Sequence, residues 1–164
     1  PVLFKKEYLV WKDRDKGGGF RGAYPTLQDA KDRIATEDDA ADLEAVETGQ
    51  QIGCVVKEDG SLEEAVVSMS KTKLKVSREW NTLVRLNGND RFSRTYKLFG
   101  FEDQNGKGQD FFNIGVQNDG FPTKEQYQYC EALYASITSG ARKVKLDTTG
   151  MDHADGAADG ATEY

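Results

Sequence analysis

The sequence contains a single histidine, His153, which lies close to the C-terminus. A histidine general base, a Ser-His-Asp triad or a histidine metal cluster would need such a side chain within the folded part of the chain. The GxxxxGK[ST] phosphate-binding motif is also absent. Neighbouring acids do occur, as at Glu63 and Glu64, so a nuclease with two carboxylate-bound metal ions stays open. We expect a protein that is not an enzyme and that uses no metal or cofactor.

The sequence has only two cysteines, Cys54 and Cys130, and no CxxC motif. This is too few for a disulfide framework and predicts two buried thiols in a reducing compartment. No apolar run approaches the length of a membrane-spanning helix, and no signal peptide is visible. These absences predict a cytoplasmic protein.

Charge is distributed unevenly along the 164 residues, whose net charge is −6. Residues 147–164 contain five acids and no Lys or Arg, which leaves 23 acids and 22 bases in residues 1–146. A short, acidic and weakly hydrophobic segment cannot bury enough apolar surface to fold. The sequence therefore predicts one nearly neutral domain over 1–146 and a disordered acidic tail over 147–164.

Periodicity and capping residues predict the secondary structure of the domain. Thr26 and Thr123 are suitable N-cap residues, and Gln126 can complete a capping box with Thr123. Leu43 and Val46 have the spacing of a second small helix. We predict strands over 2–11, 52–56, 63–70, 91–101 and 110–116, and helices from Thr26, within 37–48, over 71–86 and over 124–138.

The order of these elements predicts the fold class. Five short strands with a helix between the third and the fourth have the order of an OB-fold barrel. We therefore expect a mainly β protein with helices (α+β), in which an OB-fold-like five-stranded barrel carries helical insertions.

The predicted helix over 71–86 has two chemically different faces at 100° per residue. One narrow stripe is basic, and the opposite side is apolar and suited to burial. The basic stripe contains Lys71, Lys75, Arg78, Thr82 and Arg85, and the apolar side contains Val76, Trp80, Leu83 and Val84.

Positive charge continues from this helix into the next predicted strand. Residues 71–97 contain eight bases and two acids, and aromatic residues are interleaved with them. Lys and Arg side chains contact the phosphates of a nucleic acid, while aromatic rings stack on nucleobases without reading their sequence. The alternative is a solvated helix face beside an aromatic core. The candidate contacts here are Arg91, Phe92, Arg94, Tyr96 and Lys97, followed by the aromatics Phe99, Phe101, Phe111 and Phe112.

Strand alternation separates some of these aromatics. In 110–116, Phe112, Ile114 and Val116 share one face that is suited to the core. Phe111 then lies on the other face with Asn113 and is the better candidate for stacking. In 91–98 the alternation leaves open which of the two faces meets a ligand.

The segment 12–22 is rich in glycine and in basic residues. Three consecutive glycines predict a mobile loop. Arg14, Phe20 and Arg21 could act as a basic, aromatic clamp on a nucleic acid, and a flexible loop without such a role is the equal alternative.

The acidic tail could mimic a phosphate backbone and compete for the basic surface, most strongly at low salt. This layout resembles bacteriophage-encoded single-stranded DNA-binding proteins of the OB-fold type, whose acidic tails end in an aromatic residue. The segment SMSKTKLKVSREWN also resembles phage replication-module proteins. The resemblance implies a location in the host cytoplasm and tail-mediated contacts with replication proteins such as polymerase or helicase. The tail residues that would make those contacts are Asp152, Asp155, Asp159, Glu163 and Tyr164.

The leading hypothesis is sequence-independent binding of single-stranded DNA in phage replication or recombination. The alternatives are a protein-interaction or virion-associated module and, third, a metal-dependent nuclease. The sequence leaves the preference between DNA and RNA and the oligomeric state open.

Overall fold

The computed structural model describes residues 1–104, 106 and 108–144. They form a mixed α+β protein, which confirms the predicted α+β class. The strands are Leu3–Lys12 (β1), Phe20–Tyr24 (β2), Leu43–Val56 (β3), Leu62–Ser70 (β4), Tyr96–Gln104 (β5) and Asp110–Asn118 (β6). The helices are Leu27–Ala35 (α1), Leu74–Leu86 (α2) and Lys124–Thr138 (α3).

The described strands form two separate antiparallel sheets. The larger has the order β2-β1-β3-β4, and the smaller is the β5–β6 hairpin. The predicted five-stranded OB-type barrel is not formed by these residues, because β5 and β6 pair only with each other and close no ring with β1–β4.

Strands β3 and β4 form a hairpin, and its turn is fixed by local hydrogen bonds. The Asp59 carboxylate accepts from the Ser61 backbone N–H at 2.9 Å and from its hydroxyl at 2.6 Å. Gly60 has a φ of 81°, a value that few residues other than glycine adopt. Acid and glycine at these positions are the usual chemistry of a tight turn.

The predicted helix starts are confirmed at α1 and α3. The Thr26 hydroxyl accepts from the Asp29 N–H at 3.1 Å. Thr123 and Gln126 form the predicted capping box, with hydrogen bonds of 2.9 and 3.2 Å. The predicted helix over 71–86 is also present, as a short 3₁₀ turn at Lys71–Lys73 that continues into α2.

Three predicted elements are wrong in part. The segment 12–22 is not one long loop, because a 3₁₀ turn at Arg14–Lys16 leads into β2, which pairs with β1. Residues 37–48 contain only a 3₁₀ turn at Ala40–Asp42, after which β3 begins and pairs along β1. The strand predicted over 91–101 begins only at Tyr96.

Two apolar clusters hold these elements together. The first joins α2 to β4 and to the inner side of the hairpin, through Met69, Val76, Trp80 and Val84 with Val67, Tyr96, Ile114 and Val116 around them. The second joins α3 to the N-terminal strand and the end of β3, through Val2, Phe92 and Leu133 with Cys54, Tyr127, Cys130 and Ile137 around them. Because α2 contacts both sheets, it fixes the hairpin beside the larger sheet.

The predicted boundary near Asp147 and all five named tail residues lie outside the described residues. In the part of the chain that is described, no helix is long and apolar enough to cross a membrane.

Candidate functional site

The β5–β6 hairpin has an inner and an outer face. Tyr96, Ile114 and Val116 on the inner face pack against the α2 cluster. Pairing of Phe101 with Asn113 sets the register, so alternate residues of both strands point outward. The outer face carries Lys97, Phe99, Phe101 and Phe111, which we call the aromatic face.

The three rings of the aromatic face are exposed. Relative exposure is 36% for Phe99, 39% for Phe101 and 37% for Phe111. The centroids of Phe99 and Phe101 are 6.0 Å apart with the rings tilted by 42°. Large apolar side chains grouped on the surface of a small protein are typical of binding surfaces.

Gly115 lies beneath the ring of Phe99. A Cβ atom at this position would come within 2.5 Å of the ring atom Cζ and within 2.8 Å of Cε2. The ring therefore covers the backbone of the neighbouring strand. It fills the space that a side chain at position 115 would need. This contact holds Phe99 in one orientation without burying its outer surface.

The two ends of the aromatic face differ in charge. Lys97 is at the start of β5 and is exposed. At the other end lies the carboxylate of Asp103, which accepts from the Asn113 side chain at 2.9 Å. This hydrogen bond first, then one from the Gln104 backbone and, to a smaller extent, the charge of Lys75 lower the pKa of the Asp103 carboxyl. Lys75 of α2 therefore partly offsets the negative charge of Asp103.

The predicted basic stripe of α2 is exposed. Val76, Trp80 and Val84 are buried on the opposite side of the helix. The Arg78 guanidinium is 3.9 Å from the Glu47 carboxylate. The other stripe cations form no ion pair with any residue of the described part. Of the predicted stripe, Lys75, Arg78, Thr82 and Arg85 lie on α2, whereas Lys71 lies in the 3₁₀ turn that precedes the helix.

Two more predicted contacts, Arg14 and Lys71, are brought together at a groove on the larger sheet. The groove has a volume of about 600 Å³, and Trp11, Ser68 and both cations are among its lining residues. Lys71 has a φ of 49°, an uncommon backbone conformation for a residue that is not glycine. This turn directs the chain from β4 into α2.

The remaining residues of the predicted clamp are engaged in other contacts. The Phe20 ring packs against Trp11 with the centroids 5.2 Å apart. The Arg21 guanidinium donates to Asp39 at 3.2 Å, and Lys12 donates to the same carboxylate at 2.6 Å. Residues 12–22 therefore stabilise the β1–β2 end of the sheet.

Three predicted stacking or phosphate contacts are placed in the interior. Phe92 is 7% exposed in the α3 cluster. The Tyr96 hydroxyl accepts from Asn87 at 2.7 Å, and its ring packs on Trp80. Burial raises the pKa of this phenol.

Arg91 is also turned inward. Its guanidinium donates to Gln51 Oε1 and to Asn81 Oδ1, each at 2.7 Å. Arg94, by contrast, stacks over the ring of Phe121 at 3.8 Å from the centroid, and that ring is 70% exposed. Of the predicted residues in 91–97, Lys97 and Arg94 therefore face the solvent side.

Phe99 and Phe101 were noted among the interleaved aromatics but were not chosen as binding residues. The signal that could have found them is the alternation Lys97–Phe99–Phe101, read from a strand that begins at Tyr96. If the strand is assumed to begin at residue 91, Phe92 becomes the predicted stacking residue instead. Phe111 was predicted to point away from the core, and the register agrees. Phe112, predicted to be in the core, is 78% exposed near the hairpin tip.

Metal-binding side chains do not cluster in the part of the chain described here, where no three His, Cys, Asp or Glu residues are placed to hold an ion. What the geometry offers is a stacking surface with Lys97 at one end and the exposed cations of α2 on the neighbouring helix. Such a surface suits binding through charge and ring stacking.

The described chain is thus an α+β protein with a four-stranded sheet, a separate hairpin and an exposed aromatic face. The model of the Pam3 phage gp34-like protein family matches residues 1–143, and the chain belongs to that family. The match indicates a bacteriophage protein. Comparison with the curated proteins and with the solved structures finds no match.

Proposed function

We propose that this protein binds single-stranded DNA without sequence preference, as a component of phage DNA replication or recombination. The observation that carries the proposal is the aromatic face, with three exposed rings on one side of a hairpin whose other side is anchored in the core. Exposed rings can each stack on a base, and a base of any identity offers the same π surface.

Charge supports the same proposal. Lys97 lies beside the rings, and Lys75 offsets the charge of Asp103 at their other end. Arg78 and Arg85 of α2 add exposed positive charge. A strand stacked on the rings would bring its phosphates close to these cations. Binding of this kind weakens as salt rises. Binding releases counterions from the DNA phosphates into solution, and this release is less favourable when the solution already contains more salt. An open sheet with aromatic residues would then serve in place of the predicted OB-type barrel.

The test is a titration of fluorescently labelled oligo-dT, followed by anisotropy at several salt concentrations. Loss of a stacking ring is expected to cost about 1–3 kcal/mol, which is about 5- to 150-fold in Kd, for Phe99→Ala and for Phe101→Ala. Phe112→Ala is the matched control, since this phenylalanine is exposed on the same hairpin but lies on its other face. Its affinity should stay within about twofold of the unchanged protein.

The outcome that contradicts DNA binding is an absence of oligo-dT binding at low salt by both the full chain and the chain without residues 147–164. If Phe99→Ala instead abolishes binding to a protein partner and Phe112→Ala retains it, the aromatic face binds protein, and the chain is a protein-interaction or virion-associated module. A parallel titration with oligo-U determines the preference between DNA and RNA.

We further propose that the acidic segment 147–164 competes with DNA for the basic surface and contacts replication proteins such as polymerase or helicase. Its five acids and lack of bases support this role. Deletion of the segment should tighten oligo-dT binding at low salt, and the difference should shrink as salt screens the charges. Equal affinity of the two chains at low salt would contradict competition.

A further inference from the structure

The two cysteines are far apart in the sequence but adjacent in the fold. Cys54 lies near the end of β3, and Cys130 lies in the middle of α3. Both pack around the cluster of Val2, Phe92 and Leu133, and both are half-buried. The two thiols are close enough for each to shift the pKa of the other.

Contacts beside the cysteines fix this position independently. In the sheet, Cys54 pairs with Glu64 of β4. The same glutamate accepts a hydrogen bond from the hydroxyl of Tyr129 at 2.8 Å and from Arg142 at 2.6 Å. Since Tyr129 directly precedes Cys130, these bonds hold the helix against the sheet at the level of Cys54.

We propose that Cys54 and Cys130 are a redox modification site, where a peroxide converts the two thiols into a reversible disulfide that joins α3 to β3. Cys130 is the attacking thiol and Cys54 is the resolving thiol. The Cys130 thiolate displaces hydroxide from hydrogen peroxide and becomes a sulfenic acid. The Cys54 sulfur then attacks the Cys130 sulfur and releases water.

The overall reaction converts two thiols and one hydrogen peroxide into one disulfide and two waters. The protein loses two electrons and two protons, and the peroxide is reduced. A dithiol such as dithiothreitol reverses the change by exchange.

The assignment of roles follows from the environment of each sulfur. The neighbouring Cys54 thiol lowers the pKa of Cys130, because it stabilises the Cys130 thiolate. The interaction with Cys130 first, and then burial, raise the pKa of Cys54, so Cys54 keeps its proton. The thiolate is the reactive form, so Cys130 should react first with peroxide.

Oxidation should also hold α3 more firmly. The helix has one fully buried residue, Leu133, and its other contacts are partly buried side chains such as Ile137 and exposed hydrogen bonds such as Tyr127 to Asp90. A covalent link between residues distant in the sequence restricts the unfolded chain and stabilises the folded one. The oxidised protein should therefore melt several degrees higher than the reduced protein.

The experiment uses the full chain, reduced and then treated with a small excess of hydrogen peroxide. The expected product is a monomer that has lost the mass of two hydrogen atoms, carries no thiol reactive to Ellman's reagent, and yields a peptide linked between Cys54 and Cys130. Dithiothreitol should restore both thiols. Cys54→Ser should stop at a Cys130 sulfenic acid that dimedone traps, while Cys130→Ser should react much more slowly.

Two titratable thiols after treatment of the unchanged protein, or only disulfides between chains, would overturn the proposal. The unchanged protein alone decides this point, so a variant that fails to fold does not affect it. A melting temperature that does not rise on oxidation would contradict the stabilising role of the link. Peroxide should not shift the melting temperature of the double variant Cys54→Ser/Cys130→Ser.

Discussion

The close approach of α2 to the larger sheet at Gly49 provides a sharp test of the packing that positions the basic stripe. Gly49 lies in β3 under Ser77 of α2. A Cβ atom on Gly49 would lie 2.5 Å from the Ser77 hydroxyl oxygen, 3.3 Å from the Ser77 Cβ and 3.2 Å from the ring of Phe4. Gly49→Ala therefore forces the helix and the sheet apart, and overpacking of this kind costs about 1–3 kcal/mol in unfolding free energy.

The Ser77 hydroxyl determines most of that cost. Its oxygen is buried and has no hydrogen-bond partner among the described residues. Ser77→Ala should therefore change stability little, since no bond is lost. In the double variant the 2.5 Å contact is removed, and the contacts at 3.2 and 3.3 Å remain. The double variant should recover about 1 kcal/mol relative to the sum of the single changes.

The assay is urea denaturation at 25 °C followed by circular dichroism, with the four proteins of the cycle measured together. The midpoint should fall in Gly49→Ala while the m-value stays constant. If Gly49→Ala is as stable as the unchanged protein, or if the two changes are additive, Ser77 is not seated on Gly49 and the placement of α2 is wrong.

Three other outcomes are expected. Arg91→Ala should lower the unfolding free energy by about 1–3 kcal/mol in urea denaturation, because it leaves Gln51 Oε1 without its donor, while Asn81 Oδ1 keeps only the bond from Gln51 Nε2; weaker oligo-dT binding with unchanged stability would contradict its interior role. Gly115→Ala should displace the ring of Phe99 and weaken oligo-dT binding severalfold without loss of the fold seen by circular dichroism. Hydrogen bonds from Tyr129 first, and then from Arg142, lower the pKa of Glu64, so this carboxylate contributes stability above the ordinary glutamate pKa and loses it as pH falls through the lowered value. In acid titrations of stability, Tyr129→Phe should therefore show a smaller loss below about pH 4.3 than the unchanged protein.

Local chemistry made much of the secondary structure predictable. Thr26 and Thr123 begin helices because their hydroxyls satisfy backbone N–H groups within a few residues, and such a signal needs no tertiary contact. The Asp59–Gly60 turn was predictable for the same reason. These features depend only on neighbours in the sequence.

Pairing between distant segments was not predictable in the same way. Leu43 and Val46 have helical spacing, yet they lie in β3, where Val46 pairs with Leu9 and Leu43 with Lys12. The long partner strand β1 satisfies the backbone of this segment, and tertiary pairing then overrides a weak local pattern. The separation of β5–β6 from the larger sheet likewise depends on contacts with α2 that no local pattern contains.

The candidate site was predicted in part for the same reasons. The exposed cations of α2 follow from helical periodicity, which is a local property. Arg91 and Phe92 were predicted as DNA contacts, but both belong to a segment that precedes the strand and turns inward. The predicted start of β5 is five residues too early, so Phe92 was assigned to the strand and Phe99 and Phe101 were not chosen as binding residues.

Interior and exposed positions alternate along the two strands of the hairpin. Residues such as Ile114 and Val116 must retain apolar volume, because α2 packs on them. Phe99, Phe101 and Phe111 are exposed and can be exchanged without repacking the interior. Among relatives, inner positions should therefore diverge slowly, whereas outer positions are free to vary. A few substitutions could then change the surface chemistry of the hairpin on a scaffold that stays the same.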